Sequence, residues 1–256
     1  MELGKVPVAG DTIVVWFSCG AASAVAAKKT IEKYGHMCKI HVVNNYVKEE
    51  DSDNVRFLKD VERWLNIKIE QAVNSKYKAC SIIEVFDDRR YMSGIEGAPC
   101  TMELKKKARY EWEIKNRVDW TVLGFTKEEK GRFNKFRINE RPASIHVLEN
   151  ISKGECFEII TNAGIKLPDM YLLGYPNANC IGCVKATSPT YWNHVRKVHP
   201  EVFKERADQS AEIGVKLVRH KGDRILLNDL PPNAKGRPMK DMKFECGIFC
   251  ENKKAS

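Results

Sequence analysis

Thr12–Phe17 (TIVVWF) is an unbroken apolar run, the pattern of a strand buried on both faces. The alanine-rich AASAVAAKKTIEKY that follows is a strong helix former and should stop near Gly35. Lys39–Val43 (KIHVV) reads as a second strand. Beyond EEDSDN, where Ser52 or Asp53 can cap, Val55, Leu58, Val61 and Leu65 recur at helical spacing. Ile67–Ile69 predicts a third strand, CTMELKKKARYEWEIKNR a polar helix, and Trp120–Phe125 (WTVLGF) another apolar strand. Strand and helix alternate. That order predicts an α/β fold, a doubly wound, mostly parallel sheet with helices on both faces.

From about Pro189 the texture changes. YWNHVRKVHPEVFKERADQSAEIG reads as two helices broken at Pro200, and LPPNAKGRPMKDMKFECGIFC is loop-like, rich in Pro, Gly and Lys. This tail has too few apolar residues to hold its own core, so it is expected to fold back on the rest. The expected organisation is a core of residues 1–190 with a tail of 191–256 belonging to the same domain.

Composition adds four constraints. The 256 residues are 43% hydrophobic, enough to bury a sizeable core. No apolar run is long enough to cross a bilayer, and MELGKVPVAGDT does not read as a signal peptide, so a cytoplasmic protein is expected. The net charge of +9 favours anionic partners, nucleotide or nucleic acid, although it is also common in proteins that bind neither. Nine cysteines, an odd number in a chain read as cytoplasmic, argue against a disulfide framework. Cys38 and Cys156 lie in apolar patterns and read as small buried hydrophobes.

Cys80 reads either way, and the other cysteines cluster where chemistry is expected. Ser18-Cys19-Gly20-Ala21 ends the first strand and opens the first helix. Ligands of doubly wound sheets sit at such carboxyl edges, where free N–H groups and the helix dipole favour an anion. Gly20 and Ala21 permit close approach, and the Ser18 and Ser23 hydroxyls can donate to phosphate oxygens. A packing turn of small residues is the alternative. Gly124 ends a later strand before a charged loop in which Arg132 is available for a bidentate phosphate contact or is simply solvated. Cys180-Ile-Gly-Cys183 has the spacing of a pair of thiolates holding a metal or cluster, or of a redox dithiol.

In FSCGAASAV, LGFTKEEKGR, IKLPDMYLLGYPNANCIGC and FECGIF, the chain resembles the phosphoadenosine phosphosulfate (PAPS) reductase family of the adenine nucleotide alpha-hydrolase-like (PP-loop) superfamily. These segments span most of the chain. The resemblance implies an adenine-nucleotide site at Ser18, Cys19, Gly20, Ala21 and Ser23, with Gly124 and Arg132 on the side of the pyrophosphate or sulfate. It also implies a nucleophilic Cys246 in a tail similar to the reductases' Glu-Cys-Gly-Leu-His. PCTMELKKKAR is similar to the segment that joins a Cys-x-x-Cys in ligating the 4Fe-4S cluster of adenylylsulfate reductases. Cys100, Cys180 and Cys183 are then expected ligands, and Cys250 the fourth if Cys246 is the nucleophile.

The chain also departs from the family. Ala22 stands where the PP-loop ATPases have aspartate, and Asn44-Asn45-Tyr46 replaces the reductases' Asp-Thr-Gly. Thr126 replaces an arginine, Phe249 the tail histidine, and Cys100 stands alone after Pro99. Three functions follow as expectations. The first is reduction of a sulfonucleotide, adenylylsulfate (APS) or PAPS, with a thioredoxin-like donor. The second is ATP-dependent, cluster-assisted thiolation of tRNA or DNA. The third is nucleotide or cluster binding without catalysis.

Overall fold

The computed structural model describes residues 6–94, 97–139 and 143–242. In chain order the elements are β1 (Thr12–Phe17), α1 (Ala21–Tyr34), β2 (Lys39–Asn44), α2 (Asp53–Leu65), β3 (Glu70–Gln71) and α3 (Ile82–Arg89). After a π-helical stretch over Thr101–Lys107 come α4 (Ala108–Lys115), β4 (Trp120–Val122), α5 (Lys130–Asn139), β5 (Ala143–Ile145) and α6 (Lys153–Asn162). The chain continues through α7 (Asp169–Leu172), α8 (Pro189–Val198), α9 (Pro200–Ile213), β6 (Val218–His220) and β7 (Asp223–Ile225). Two compact units interleave along it. The first holds residues up to Asn45, Ser52–Ala72 and Tyr110–Pro168; the second holds Tyr46–Asp51, Val73–Arg109 and residues from Asp169 on.

The first unit carries a five-stranded, all-parallel sheet in the order β3-β2-β1-β4-β5. This is the doubly wound α/β fold that the strand–helix alternation predicts. The chain winds outward from β1 in one direction through β2 and β3, and in the other through β4 and β5. The strand order therefore reverses between β1 and β4, where ligands of such sheets bind. Every residue of β1 is buried. Helix α1 presents Ala21, Ala24, Val25, Ala26 and Ala27 to the interior, all inaccessible to solvent. Side chains this small let it pack closely on β1 and α6.

Details differ from the sequence pattern for local reasons. The third strand falls at Glu70–Gln71 rather than Ile67–Ile69, because the Ile67 N–H caps α2 on Glu62 O and the Ile69 N–H is taken by Glu62 Oε1 at 2.8 Å. The buried face of α2 is Phe57, Val61 and Leu65, while Val55 points outward. Ser52 makes no side-chain cap, and Asp53 pairs with Arg56 instead. The polar helix from Cys100 is π-helical through Lys107 before becoming α-helical. The break at Pro200 lies between α8 and α9, as expected.

The second unit has its own apolar core. Tyr77, Val85, Phe86 and Met92 meet Tyr191, Trp192, Val195 and Leu217 from the C-terminal segment. The helices after Pro189 thus share a core with segments far upstream, which provide the apolar surface the tail lacks. Among the described residues no helix is long and apolar enough to cross a membrane.

Candidate functional site

The Ser18–Ser23 loop closes on itself. Ser23 Oγ accepts from the Ser18 N–H at 3.1 Å and from Ser18 Oγ at 3.2 Å, and donates to Gly20 O at 2.9 Å. Cys19 is buried with φ +54°, a left-handed conformation uncommon for a side chain with a Cβ. Asn44, at the end of β2, braces it: its Nδ2 donates to Phe17 O at 2.9 Å and contacts Cys19 Sγ at 3.7 Å. Gly20 is the extended N-cap of α1, and the helix's first internal bond runs from Ala24 N to Gly20 O. The N–H groups of Ala21, Ala22 and Ser23 consequently have no acceptor among the described residues, and the first turn holds no acidic side chain. Three unspent donors at a helix N-terminus favour an anion.

Gly124 lies on the other side of the same switch point. A Cβ there would come within 2.7 Å of Ser23 N and 2.9 Å of Ala22 C. Its role in the structure is to let the end of β4 touch the start of α1. Beyond it Thr126 is buried and donates its hydroxyl to Glu129. Arg132 is half-buried: it pairs with Glu129 and stacks over Phe125, its guanidinium carbon 5.1 Å from the ring centre. An anion recruiting Arg132 would compete with that carboxylate.

The cysteine loop belongs to the second unit. Cys180 and Cys183 are 7% and 6% exposed, so this is not a surface dithiol. The Ile181 N–H donates to Glu49 O at 3.1 Å, and the Cys183 N–H donates to Tyr191 Oη at 2.8 Å. Burial, with the neighbouring thiols, pushes the Tyr191 phenol well above its usual range, so it stays protonated. Gly182 has φ +68°, which a residue with a Cβ adopts only under strain. Cys100 is partly buried against the same core, directly before the π-helical stretch. π-helical turns are rare and concentrate at functional sites.

Charged groups are buried in this stretch too. Glu103 bonds Arg89, Lys107 and the amide of Asn74. Burial raises its pKa, but Lys107 and Arg89 outweigh that and hold it below the usual carboxylate range. Lys105 faces Glu50 at 3.6 Å, both almost fully buried.

Soft thiolates are the correct donors for an iron–sulfur cluster or zinc. Among the described residues, however, no three His, Cys, Asp or Glu side chains converge to hold a metal ion. Cys180 and Cys183 fit one half of such a site. Cys246 and Cys250, the expected nucleophile and fourth ligand, lie outside the described residues. The structure also supplies residues that the sequence pattern did not single out. Asn44 stood only as a departure from Asp-Thr-Gly, and Tyr191 and Arg206 carry no periodic or motif signal.

No family model matches the chain, and no curated protein matches its sequence. Among solved structures it is similar to the PAPS reductase of Candida auris in a phosphate complex, at 13% identity over 66% of this chain and 79% of that one, with a TM-score of 0.45. It is similar to the U34-tRNA thiolase NcsA of Methanococcus maripaludis with its 4Fe-4S cluster, at 12% identity over 82% and 72% of the two chains, TM-score 0.46. A third is a predicted subunit of tRNA methyltransferase from Methanocaldococcus jannaschii, at 13% identity over 59% and 74%, TM-score 0.36. All three TM-scores lie below 0.5 and all three identities below 25%, so the likeness assigns no activity to this chain.

Proposed function

We propose that the chain is an adenine-nucleotide-binding enzyme of sulfur chemistry, with the nucleotide's phosphates on the Ser18–Ser23 loop. The observation that carries this reading is the row of unspent N–H groups at Ala21, Ala22 and Ser23, at the point where the strand order reverses. The reaction that best matches the motifs is reduction of APS or PAPS. In that step the Cys246 thiolate attacks the sulfate sulfur, the bond from sulfur to the phosphate oxygen breaks, and the nucleotide leaves. A thioredoxin-like dithiol then displaces sulfite from the cysteine and ends as a disulfide. A thiolate-bound 4Fe-4S cluster at Cys100, Cys180, Cys183 and Cys250 would supply electrostatic or electron-transfer chemistry.

Thiolation of tRNA or DNA is the second reading. It is favoured by the net charge of +9 and by Lys130, Lys135 and Arg137, which are exposed on α5.

Calorimetric titration of the full chain with APS, PAPS and ATP tests the site, together with Gly20→Leu. The expected result is binding by the parent and none by the folded variant. Equal affinity in the two would restore the packing turn. Preference for APS or PAPS, with sulfite release lost in Cys246→Ala, favours the reductase. ATP binding without sulfite release favours the second reading.

A further inference from the structure

The ribbon of β6 and β7 turns through Lys221 and Gly222, at φ +49° and +96°, the two positive angles of a type I′ hairpin. Strand alternation gives the ribbon two faces. Val218 is completely buried and its partner Ile225 packs on the core, so the next pair, His220 and Asp223, lies on that inner face. Arg219 and Arg224 stand directly opposite each other on the outer face, and both are exposed. The Arg219 N–H points away from β7 and donates to Thr187 O at 2.8 Å. The two arginines therefore form a non-hydrogen-bonded pair, the kind whose side chains come closest.

Like charges directly opposite each other destabilise a ribbon. Burial, and then the charge of Arg219, hold the Arg224 pKa below its usual range. Arg224 Nη1 donates to Leu217 O at 2.8 Å, while the Arg219 side chain has no partner among the described residues. The one carboxylate of the ribbon, Asp223, is on the inner face and forms no ion pair among the described residues. Further cations extend the surface. Lys221 is exposed at the turn. Ser188, next to Thr187, donates its hydroxyl to Arg237 O at 2.9 Å, which ties the segment carrying the exposed Lys235 and Arg237 to the same strand neighbour. A pair of guanidiniums without an internal counter-charge matches phosphate oxygens, which planar N–H forks bind bidentately. These cations are spread over a ribbon and its flank, so the ligand that matches them carries phosphates in series. The outer face of the ribbon has no apolar side chain to insert into a bilayer.

We propose that the outer face of the β6–β7 ribbon is a nucleic-acid docking surface, with Arg219 and Arg224 on backbone phosphates and Lys221, Lys235 and Arg237 around them. The partner's phosphates supply the counter-charge that the ribbon lacks, and the cations they release to solvent favour binding. Contacts of this kind position the polymer and do not read its base sequence. A two-stranded ribbon is also narrow enough to enter the major groove of duplex DNA. Docking here does not depend on the nucleotide loop, and it provides the polymer contact that the second reading needs.

Fluorescence anisotropy of a short mixed-sequence DNA duplex and of an RNA hairpin tests this with the full chain, Arg219→Gln, Arg219→Glu and Lys68→Glu. Thermal unfolding of each protein is measured alongside. Lys68 is exposed in the other compact unit, so Lys68→Glu makes the same change of net charge as Arg219→Glu but not on the ribbon. The parent should bind at least one probe, with affinity falling between about 50 and 200 mM salt. Arg219→Glu should bind about tenfold or more weakly and lower the slope of log affinity against log salt by about 1. Its unfolding midpoint should be no lower than the parent's, because an opposite-charge pair replaces a like-charge one. Arg219→Gln should fall between the two in affinity, and Lys68→Glu should stay within about threefold of the parent. A parent that binds neither probe overturns the docking surface, and leaves the nucleotide loop to be judged by its own titration with APS, PAPS and ATP. Parental affinity in Arg219→Glu, an equal loss in Lys68→Glu, or a lower midpoint in Arg219→Glu also overturns it. So does polyglutamate that displaces the probe as well as unlabelled duplex does, since the face then fits an acidic protein.

Discussion

Gly124→Ala isolates the contact between the end of β4 and the Ser18–Ser23 loop. Gly124 is not among the glycines with positive φ, so an alanine meets no conformational objection. What it meets is backbone: Ser23 N at 2.7 Å, Ser23 Cα at 2.8 Å and Ala22 C at 2.9 Å. Against an optimal separation of about 3.5 Å, the added methyl is roughly 0.6–0.8 Å too close. Backbone held by the Ser18–Ser23 bonds cannot swing aside as a flexible side chain would. Overpacking of this kind typically costs about 1–3 kcal/mol, or roughly 4–8 °C in the unfolding midpoint for a value near 2 kcal/mol. The loop must also move relative to the phosphates proposed to bind there, and loss of one good hydrogen bond to phosphate lowers affinity roughly tenfold. Differential scanning calorimetry and nucleotide titration read the two effects. Gly131→Ala is the control, since a Cβ there meets nothing within 4 Å. A Gly124→Ala protein with the control's midpoint and the parent's nucleotide affinity would refute the reasoning.

Three further outcomes follow from two buried groups. Tyr191→Phe removes the acceptor of the buried Cys183 N–H and should lower stability by about 1–3 kcal/mol, seen as a lower denaturant midpoint; an unchanged midpoint would show that the bond is not needed. Cys156 is pushed up to about 12, first by burial and then by Glu128 and Glu155, so it should resist alkylation at pH 8.5 in the native protein and react on unfolding. Because the folded value lies above the unfolded one, this thiol's contribution to stability is fully present below about pH 9 and is lost as pH rises toward 12, which unfolding curves across that window would detect.

The class of fold was already present in the one-dimensional pattern. The apolar run of β1, the alanine-rich α1 and the apolar start of β4 have periodicities that only a buried parallel sheet and its helices satisfy. The small residues of the Ser18–Ser23 loop and the Cys-x-x-Cys spacing were equally legible, because turn chemistry and ligand spacing are local. The short edge strands β3 and β5 were not legible in this way. A two- or three-residue strand has no period to read, and β3's position depended on which N–H groups Glu62 had already taken. Pairing distant segments likewise required the fold. That Gly124 must lack a side chain because Ser23 lies against it, that Asn44 braces Cys19, and that Arg206 stands behind Gly182 are contacts between residues 24 to 101 positions apart. Composition and spacing carry no information about such neighbours. Steric exclusion and unbalanced charge act through space, so only the tertiary structure decided them.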